Sequence, residues 1–561
     1  MGFLRVALAS SMLLAAADAA LEPIITKGSK FFTKSGEQFY LKGIAYQQEA
    51  GTGPGGDTSG NNKYVDPLAD ASVCKRDIPI LEKLGVNVIR TYAINPKSDH
   101  SACMKMLDDA GIYVIADLGD PALSINRDEP VWNVELFERY KGVIDNLGKY
   151  DNVIGFFSGN EVTNNATNIA GFWRQEILTA NWCFQAGASA YVKAATRDTK
   201  KYIADKMADG GRWMGVGYAA NDDAEIRVDM AQFFNCGEQE EAIDFWGYNI
   251  YSWCGKSSYE ESGYDVQVKF FSNYSVPVFF AEYGCNTVGG AEGRLWDDTT
   301  ALYSDKMTGV FSGGIVYMFH EEKNDYGVAK VTGDQVKTLK NYDVLRSKLA
   351  AVDPTSTSMS AYKPTNSPAA CPGIGENWKV AKTLPPTPDS NLCDCMFKSL
   401  SCAPAKDLDV KDYGDIFGYI CEQDEKACAG IKHDPEAGVY GPYSMCNPKE
   451  QLGHVLDAYY NNQNKGSSAC DFDGMAEVQS KPSVASSCEA ALDKASTAVA
   501  QAATATGNTS GTGSGSSSGS ETSDNAAPGL IPSSPVLTLG SMAVGLYVLV
   551  AMGTGAAMVA L

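Results

Sequence analysis

In Val153-Ile154-Gly155-Phe156-Phe157-Ser158, followed at once by Gly159-Asn160-Glu161, apolar residues occupy successive positions instead of alternating. A strand written this way is buried on both faces, as in a parallel sheet covered by helices. Seven other short β-rich runs lie at 39–46, 86–92, 112–118, 213–218, 245–251, 276–283 and 313–319, and most are written the same way. Amphipathic stretches at 71–83, 135–149 and 188–207 separate several of them. Eight strand-plus-helix units predict an α/β fold, a (β/α)8 TIM barrel over 20–352. An open doubly wound sheet is the alternative, but no Gly-rich phosphate loop follows the first run.

Barrel enzymes carry their reacting groups where strands end at the C-terminal face. The runs end at or next to Gln47, Tyr92, Asp117, Glu161, Tyr218, Tyr251, Glu282 and Tyr317. Two are glutamates, after the fourth and seventh runs, and most of the others are aromatic or amide. A facing carboxyl pair with aromatic platforms suits a retaining glycosidase. One carboxylate attacks the anomeric carbon; the other protonates the leaving oxygen and later deprotonates the acceptor. Alone, Glu161 reads as a helix-start acid and Glu282 as a strand-end ion-pair partner. As a pair at runs four and seven they read as catalytic. Asn160 is placed to donate to a sugar 2-hydroxyl, and Arg90 either holds Glu282 ionised or forms an interior ion pair.

The chain has 561 residues, room for two or three domains, and 46 Lys+Arg against 68 Asp+Glu give a formal charge of −22. That balance excludes a nucleic-acid partner and suits an uncharged substrate. Residues 1–19 read as a signal peptide, with Arg5, an apolar run and the small-x-small site Ala17-Asp18-Ala19; a short buried helix is the lesser reading. From Val536 to the end there is no charge, so a single membrane-spanning helix is one reading. No basic flank follows, however, and Asn525-Ala526-Ala527 precede the tail across a short spacer. This pattern favours a GPI signal with attachment at Asn525, a spacer over 489–527 and a removed propeptide over 528–561. The protein is then held at the plasma membrane through a lipid anchor. Asn165, Asn273 and Asn508 begin N-glycosylation acceptor triplets.

Fifteen cysteines in an exported chain read as disulfides with one left over. Eight of them, Cys393, Cys395, Cys402, Cys421, Cys428, Cys446, Cys470 and Cys488, fall within 393–488 and mark a small module stapled by bridges. A Pro/Ser/Thr-rich linker or strap over 353–392 precedes it. Zinc is a weaker reading of Cys393-Asp394-Cys395, and His100, His320, His433 and His454 show no ligand spacing. Neither metal nor organic cofactor is expected, and the expected state is a monomer.

Tyr40-Leu41-Lys42-Gly43-Ile44-Ala45-Tyr46-Gln47, Ile89-Arg90-Thr91-Tyr92, Gly159-Asn160-Glu161-Val162-Thr163-Asn164-Asn165 and Pro277-Val278-Phe279-Phe280-Ala281-Glu282-Tyr283-Gly284-Cys285-Asn286 together resemble the fungal GPI-anchored β-1,3-glucanosyltransferases, glycoside hydrolase family 72. The likeness runs over about residues 22–350, and the second module resembles their cysteine-rich family 43 carbohydrate-binding module. The resemblance implies Glu161 as acid/base and Glu282 as nucleophile, with Gln47, Tyr92, Asp117, Asn160, Tyr251 and Tyr317 lining the sugar groove. It implies Cys74–Cys103, Cys236–Cys371 and Cys254–Cys285 bridges and four more within the module. The implied reaction cuts β-1,3-glucan internally and joins the fragment to the non-reducing end of another chain, remodelling the wall. A hydrolytic endo-β-1,3-glucanase with the same residues, a branching enzyme, and a non-catalytic wall-binding protein are the alternatives. One departure stands out. Residues 169–187 interrupt the passage from the Asn-Glu loop to the next helix and hold Cys183, the cysteine without a partner in this scheme. Residues 170–186 read either as a true insertion or as a retained intron.

Overall fold

The computed structural model describes residues 21–48, 64–165, 187–480 and 484–505, with backbone alone at 171–172 and 185–186. The signal peptide, Cys183, Asn508, Asn525 and the C-terminal tail lie outside the described residues, as does most of 170–186. Eight parallel strands close into a barrel in sequential order. They are β1 (Leu41–Ala45), β2 (Val88–Thr91), β3 (Tyr113–Asp117), β4 (Val153–Asn160), β5 (Gly215–Asn221), β6 (Phe245–Ile250), β7 (Val278–Tyr283) and β8 (Phe311–Val316). One helix follows each: α1 (Ala71–Leu84), α2 (Ser101–Asp109), α3 (Val134–Leu147), α4 (Ala188–Ala208), α5 (Arg227–Asn235), α6 (Tyr264–Phe271), α7 (Asp297–Leu302) and α8 (Lys340–Ala351). The (β/α)8 expectation is met, and the successive apolar residues are the reason. Every residue of β2, β3, β6, β7 and β8 is buried, one face into the barrel and one under the helices.

Local signals set the helix starts. The Asp70 carboxylate accepts from the Ser72 and Val73 amides ahead of α1, and Asn133 caps α3 through the Leu136 amide. Inside the barrel, Leu41, Val88, Ile115, Ile154, Phe157, Phe245, Phe279 and Ile315 pack as one cluster. A short antiparallel meander, Ile24–Lys27, Lys30–Thr33 and Gln38–Phe39, precedes β1. Its Phe31 reaches into that cluster, with ring centroids 6.0 Å from Phe245 and 5.9 Å from Phe279, and stops the N-terminal end of the barrel.

One expected strand end is corrected. β5 runs on to Asn221, so Tyr218 lies mid-strand and faces the helices, not the barrel mouth. Its ring stacks on Phe234 at 4.4 Å, and its hydroxyl accepts from the Thr163 amide at 3.0 Å. The aromatic run at 213–218 gave no sign that Ala219 and Ala220 continue the strand.

After α8 the chain is pinned along the barrel. Asn366 donates to the Ser272 and Tyr274 carbonyls, Cys371 is bonded to Cys236, and Trp378 is fully buried with its ring 5.1 Å from Phe233. The cysteine-rich module carries α9 (Ser390–Ser399), α10 (Tyr413–Gln423), α11 (Pro448–Asn462) and α12 (Ser486–Thr504). Its bridges are Cys393–Cys446, Cys395–Cys488, Cys402–Cys470 and Cys421–Cys428, while Cys74–Cys103 and Cys254–Cys285 staple the barrel. The module abuts the start of α4: Tyr440 lies edge-on to Tyr191 at 6.2 Å, and a Cβ at Gly187 would fall 2.1 Å from Pro435. Gly171–Phe172 pairs antiparallel with Gln185–Ala186.

Candidate active site

Arg90, on β2, is fully buried at the centre of the barrel mouth. A lone guanidinium there would be costly, so its charge needs partners. Nε and Nη2 donate to the two oxygens of Asp117, each at 3.0 Å. Nη1 donates to Glu282 Oε1 at 3.3 Å, and Nη2 also reaches Asn160 Oδ1 at 3.0 Å. Burial opposes the positive charge, but Asp117, Tyr92 and Glu282 outweigh it and hold Arg90 above its ordinary value. The rings of Tyr92 and Phe157 lie 4.3 and 4.5 Å from the guanidinium carbon.

Glu282, near the end of β7, is 8% exposed and collects three donors. Besides Arg90, the Tyr92 hydroxyl donates to Oε1 at 2.9 Å and the Tyr251 hydroxyl to Oε2 at 2.8 Å. Burial pushes this carboxyl up to about 7, against the pull of Arg90 and the two hydroxyls; the nearby charge of Glu161 adds to the rise. Burial also lifts both phenols well above their ordinary value, so they remain donors. Tyr317 stands edge-on to Tyr92 and Tyr251, each at 6.4 Å, and Tyr326 adds a further wall 5.7 Å from Tyr251. Beyond Tyr283 the chain turns at Gly284, whose φ is +115° and where a Cβ would fall 2.7 Å from the Trp296 ring, so a side chain has no place.

Glu161 follows β4 directly and has φ of 49°, a left-handed backbone that a non-glycine residue adopts only when its surroundings impose it. Its amide donates to the Ala219 carbonyl at 2.8 Å, and its own carbonyl accepts from Arg127 Nη2 at 2.9 Å. The side chain is half-buried, and Oε1 accepts from Asn249 Nδ2 at 2.9 Å. The same Asn249 nitrogen donates to Asn160 Oδ1 at 3.0 Å. Both glutamates adjoin a slip in strand register: β4 and β5 shift between Gly217 and Ala219, β6 and β7 between Tyr248 and Asn249. Such slips re-aim side chains at a barrel rim.

Thus Arg90, Tyr92, Asp117, Asn160, Glu161, Tyr251, Glu282 and Tyr317 converge on one site. Asp117 and Gln47 direct their polar atoms at the protein itself. Asp117 forks Arg90, while Gln47 Oε1 accepts from the Tyr92 and Ala93 amides and Nε2 donates to the Val65 carbonyl at 2.6 Å. Three residues escape the sequence reading: Asn249, Arg127 and Tyr326. Asn249 was within reach of it, because it sits two positions before Tyr251 on the same face of a strand. Arg127 and Tyr326 lie on loops without a period to mark them. Among the described residues, the one group with metal-ligand spacing is Cys393, Cys446 and Glu450, and its two cysteines are bonded to each other.

The sequence matches the glucanosyltransferase family over residues 13–353. The chain belongs to that family. An X8 domain matches over 400–477, inside the cysteine-rich module. The 1,3-beta-glucanosyltransferase of Arthroderma benhamiae is 46% identical over 582 aligned residues, covering 100% of both chains. The pH-responsive protein 1 of Candida albicans is 46% identical over 86% of this chain and 84% of its own. Among solved structures, Saccharomyces cerevisiae Gas2p in complex with laminaritriose and laminaritetraose superposes with a TM-score of 0.70 at 39% identity, covering 82% of this chain and 97% of that one. A mutant Gas2p with laminaritetraose and laminaripentaose gives 0.71 at 36% identity, over 85% and 99%.

Proposed function

We propose that this chain is a retaining β-1,3-glucanosyltransferase that cuts a β-1,3-glucan internally and transfers the fragment to the non-reducing end of another chain, elongating and remodelling a fungal wall. In the first half-reaction a Glu282 oxygen bonds to the anomeric carbon as the bond to the leaving glucan breaks. The leaving oxygen takes its proton from Glu161. In the second, Glu161 takes the proton of an acceptor hydroxyl, whose oxygen bonds to the anomeric carbon as the ester to Glu282 breaks. The observation that carries this reading is the convergence of Arg90, Tyr92 and Tyr251 on Glu282, with Glu161 close enough to act on its charge.

Asn160 supports it: both of its carbonyl contacts come from donors, which leaves Nδ2 for a sugar 2-hydroxyl. Tyr92, Tyr251, Tyr317 and Tyr326 offer ring faces for sugars, so an acceptor can outcompete water by stacking and orientation. Gln47 and Asp117 serve the groove by holding the backbone just beyond β2 and Arg90. The laminari-oligosaccharide complexes of the Gas2p relative favour β-1,3-glucan as both donor and acceptor.

We place the protein outside the cell at the wall, tethered to the outer face of the plasma membrane by a GPI anchor at Asn525. The module at 393–488 is its glucan-binding part. Seven disulfides in the described chain agree with an oxidising compartment. The test is to incubate the secreted ectodomain with a defined β-1,3-gluco-oligosaccharide bearing a reduced end and to follow product masses. Products longer than the substrate, lost in Glu161→Gln and Glu282→Gln, are expected. Only shorter products would make it a hydrolase; no turnover would sink the catalytic reading.

A further inference from the structure

Arg90 carries donors and no acceptor. Its Nη2 faces Asn160 Oδ1, which settles the orientation of that amide. Whatever faces the same oxygen from the other side must also be a donor, and that group is Asn249 Nδ2 at 3.0 Å. The orientation of Asn249 is therefore settled in turn, and the second hydrogen of its nitrogen points at Glu161 Oε1, 2.9 Å away. Turned over, Asn249 would set its own oxygen against two acceptors. In the observed orientation its Oδ1 is buried and has no hydrogen-bond partner among the described residues, so among these the Arg90–Asn160–Glu161 contacts fix the amide. The side chain is 3% exposed, which leaves little room for water to replace it. A definite polarity thus runs from the Arg90 guanidinium through two amides to one named oxygen of Glu161.

We infer that Asn249 is a positioning residue that reserves Glu161 Oε1 as an acceptor and so confines the catalytic proton to Oε2; the inference rests on the transfer reading above. An oxygen already accepting an N–H is the poorer site for a proton. In glycosylation, the proton on Oε2 passes to the leaving glucan oxygen as its bond to the anomeric carbon breaks, while a Glu282 oxygen forms the new bond. In transfer, the acceptor hydroxyl returns a proton to Oε2 as its oxygen displaces Glu282. Asn249 touches neither sugar nor reacting atom in this scheme. It acts through Glu161, whose backbone is already held by Ala219 and Arg127.

A leaving group that needs no proton separates positioning from general damage. Asn249→Leu keeps the volume and removes both donors, and kcat/KM reports the steps up to glycosylation. With the reduced β-1,3-gluco-oligosaccharide as donor, kcat/KM falls about 10- to 100-fold, a part of the roughly 100- to 10,000-fold that acid assistance supplies, because Glu161 itself remains. With a 2,4-dinitrophenyl β-laminari-oligoside, whose phenolate departs unaided, it falls less than about threefold. Equal losses on both donors, or a loss on the glucan below about threefold, would overturn the inference. Asn249→Ser, too short to reach Glu161, gives the same comparison if the Leu variant is not secreted. Failure of both variants to be secreted makes Asn249 a folding residue and also overturns it. Wild-type protein that turns over neither donor would refute the transfer reading instead.

Discussion

Tyr251→Phe removes one hydroxyl, the donor 2.8 Å from Glu282 Oε2, and leaves the ring beside Tyr317 and Tyr326 in place. A hydrogen bond to a charged group contributes about 1.5–3 kcal/mol, and each pKa unit corresponds to about 1.4 kcal/mol. Losing it therefore raises the Glu282 carboxyl by about one to two units from a value that burial has already pushed up to about 7. The attacking form is the carboxylate, so the rate of attack climbs with pH through this value, and the variant climbs later. Below the limb the variant is about 10- to 100-fold slower. The assay is covalent trapping of Glu282 by a 2-deoxy-2-fluoro-β-laminari-oligosyl fluoride, followed by intact mass across pH 4–9. Fluoride departs with little help from Glu161, so the acid limb belongs to the nucleophile. A limb displaced upward is expected. A uniform loss at every pH, with the limb unmoved, would refute the electrostatic role and leave the phenol a packing group.

Glu282 also makes folding stability depend on pH. Its folded value lies above its ordinary 4.5, so the contribution is fully present below about 4.5 and is lost as pH rises through about 7. Glu282→Gln should therefore gain on wild type by up to about 3 kcal/mol between pH 4.5 and 8 in denaturant titrations. A constant difference across that range would count against the shift. Cys254→Ser with Cys285→Ser opens a bridge of sequence separation 31 and should cost about 3–4 kcal/mol. Because Cys285 lies three residues beyond Glu282, trapping should slow even at temperatures where the variant stays folded. Trp378→Ala empties a fully buried site against Phe233 and should cost about 3–5 kcal/mol by thermal unfolding; a change under 1 would show that the strap is dispensable.

Much of this was legible in the sequence because parallel barrel strands are written in an unmistakable way. Runs such as 153–158 and 276–283 are apolar at nearly every position, and few other settings bury a strand on both faces. Their order then placed Glu161 and Glu282 after strands four and seven. The sequence misled at Tyr218, where small residues carry the strand onward without an apolar signal. It placed Asn249 two positions before Tyr251 but gave it no role, because an asparagine in a strand has no chemistry until its neighbours are known. The opposite held for Asp117 and Gln47. Each stands where a sugar contact is expected, yet folding directs its polar atoms to Arg90 or to backbone. Only the hydrogen bonds made in the folded protein separate a groove residue from one that supports it.

Phe31, lodged among Phe245 and Phe279, has a consequence for how a polymer is handled. With one end of the barrel stoppered and its interior filled by side chains, no polysaccharide can be threaded through. A glucan strand must be laid over the opposite rim, where Glu161 and Glu282 stand. Substrate, departing fragment and incoming acceptor then share a single doorway, and the departing fragment must clear it before the next strand can be joined.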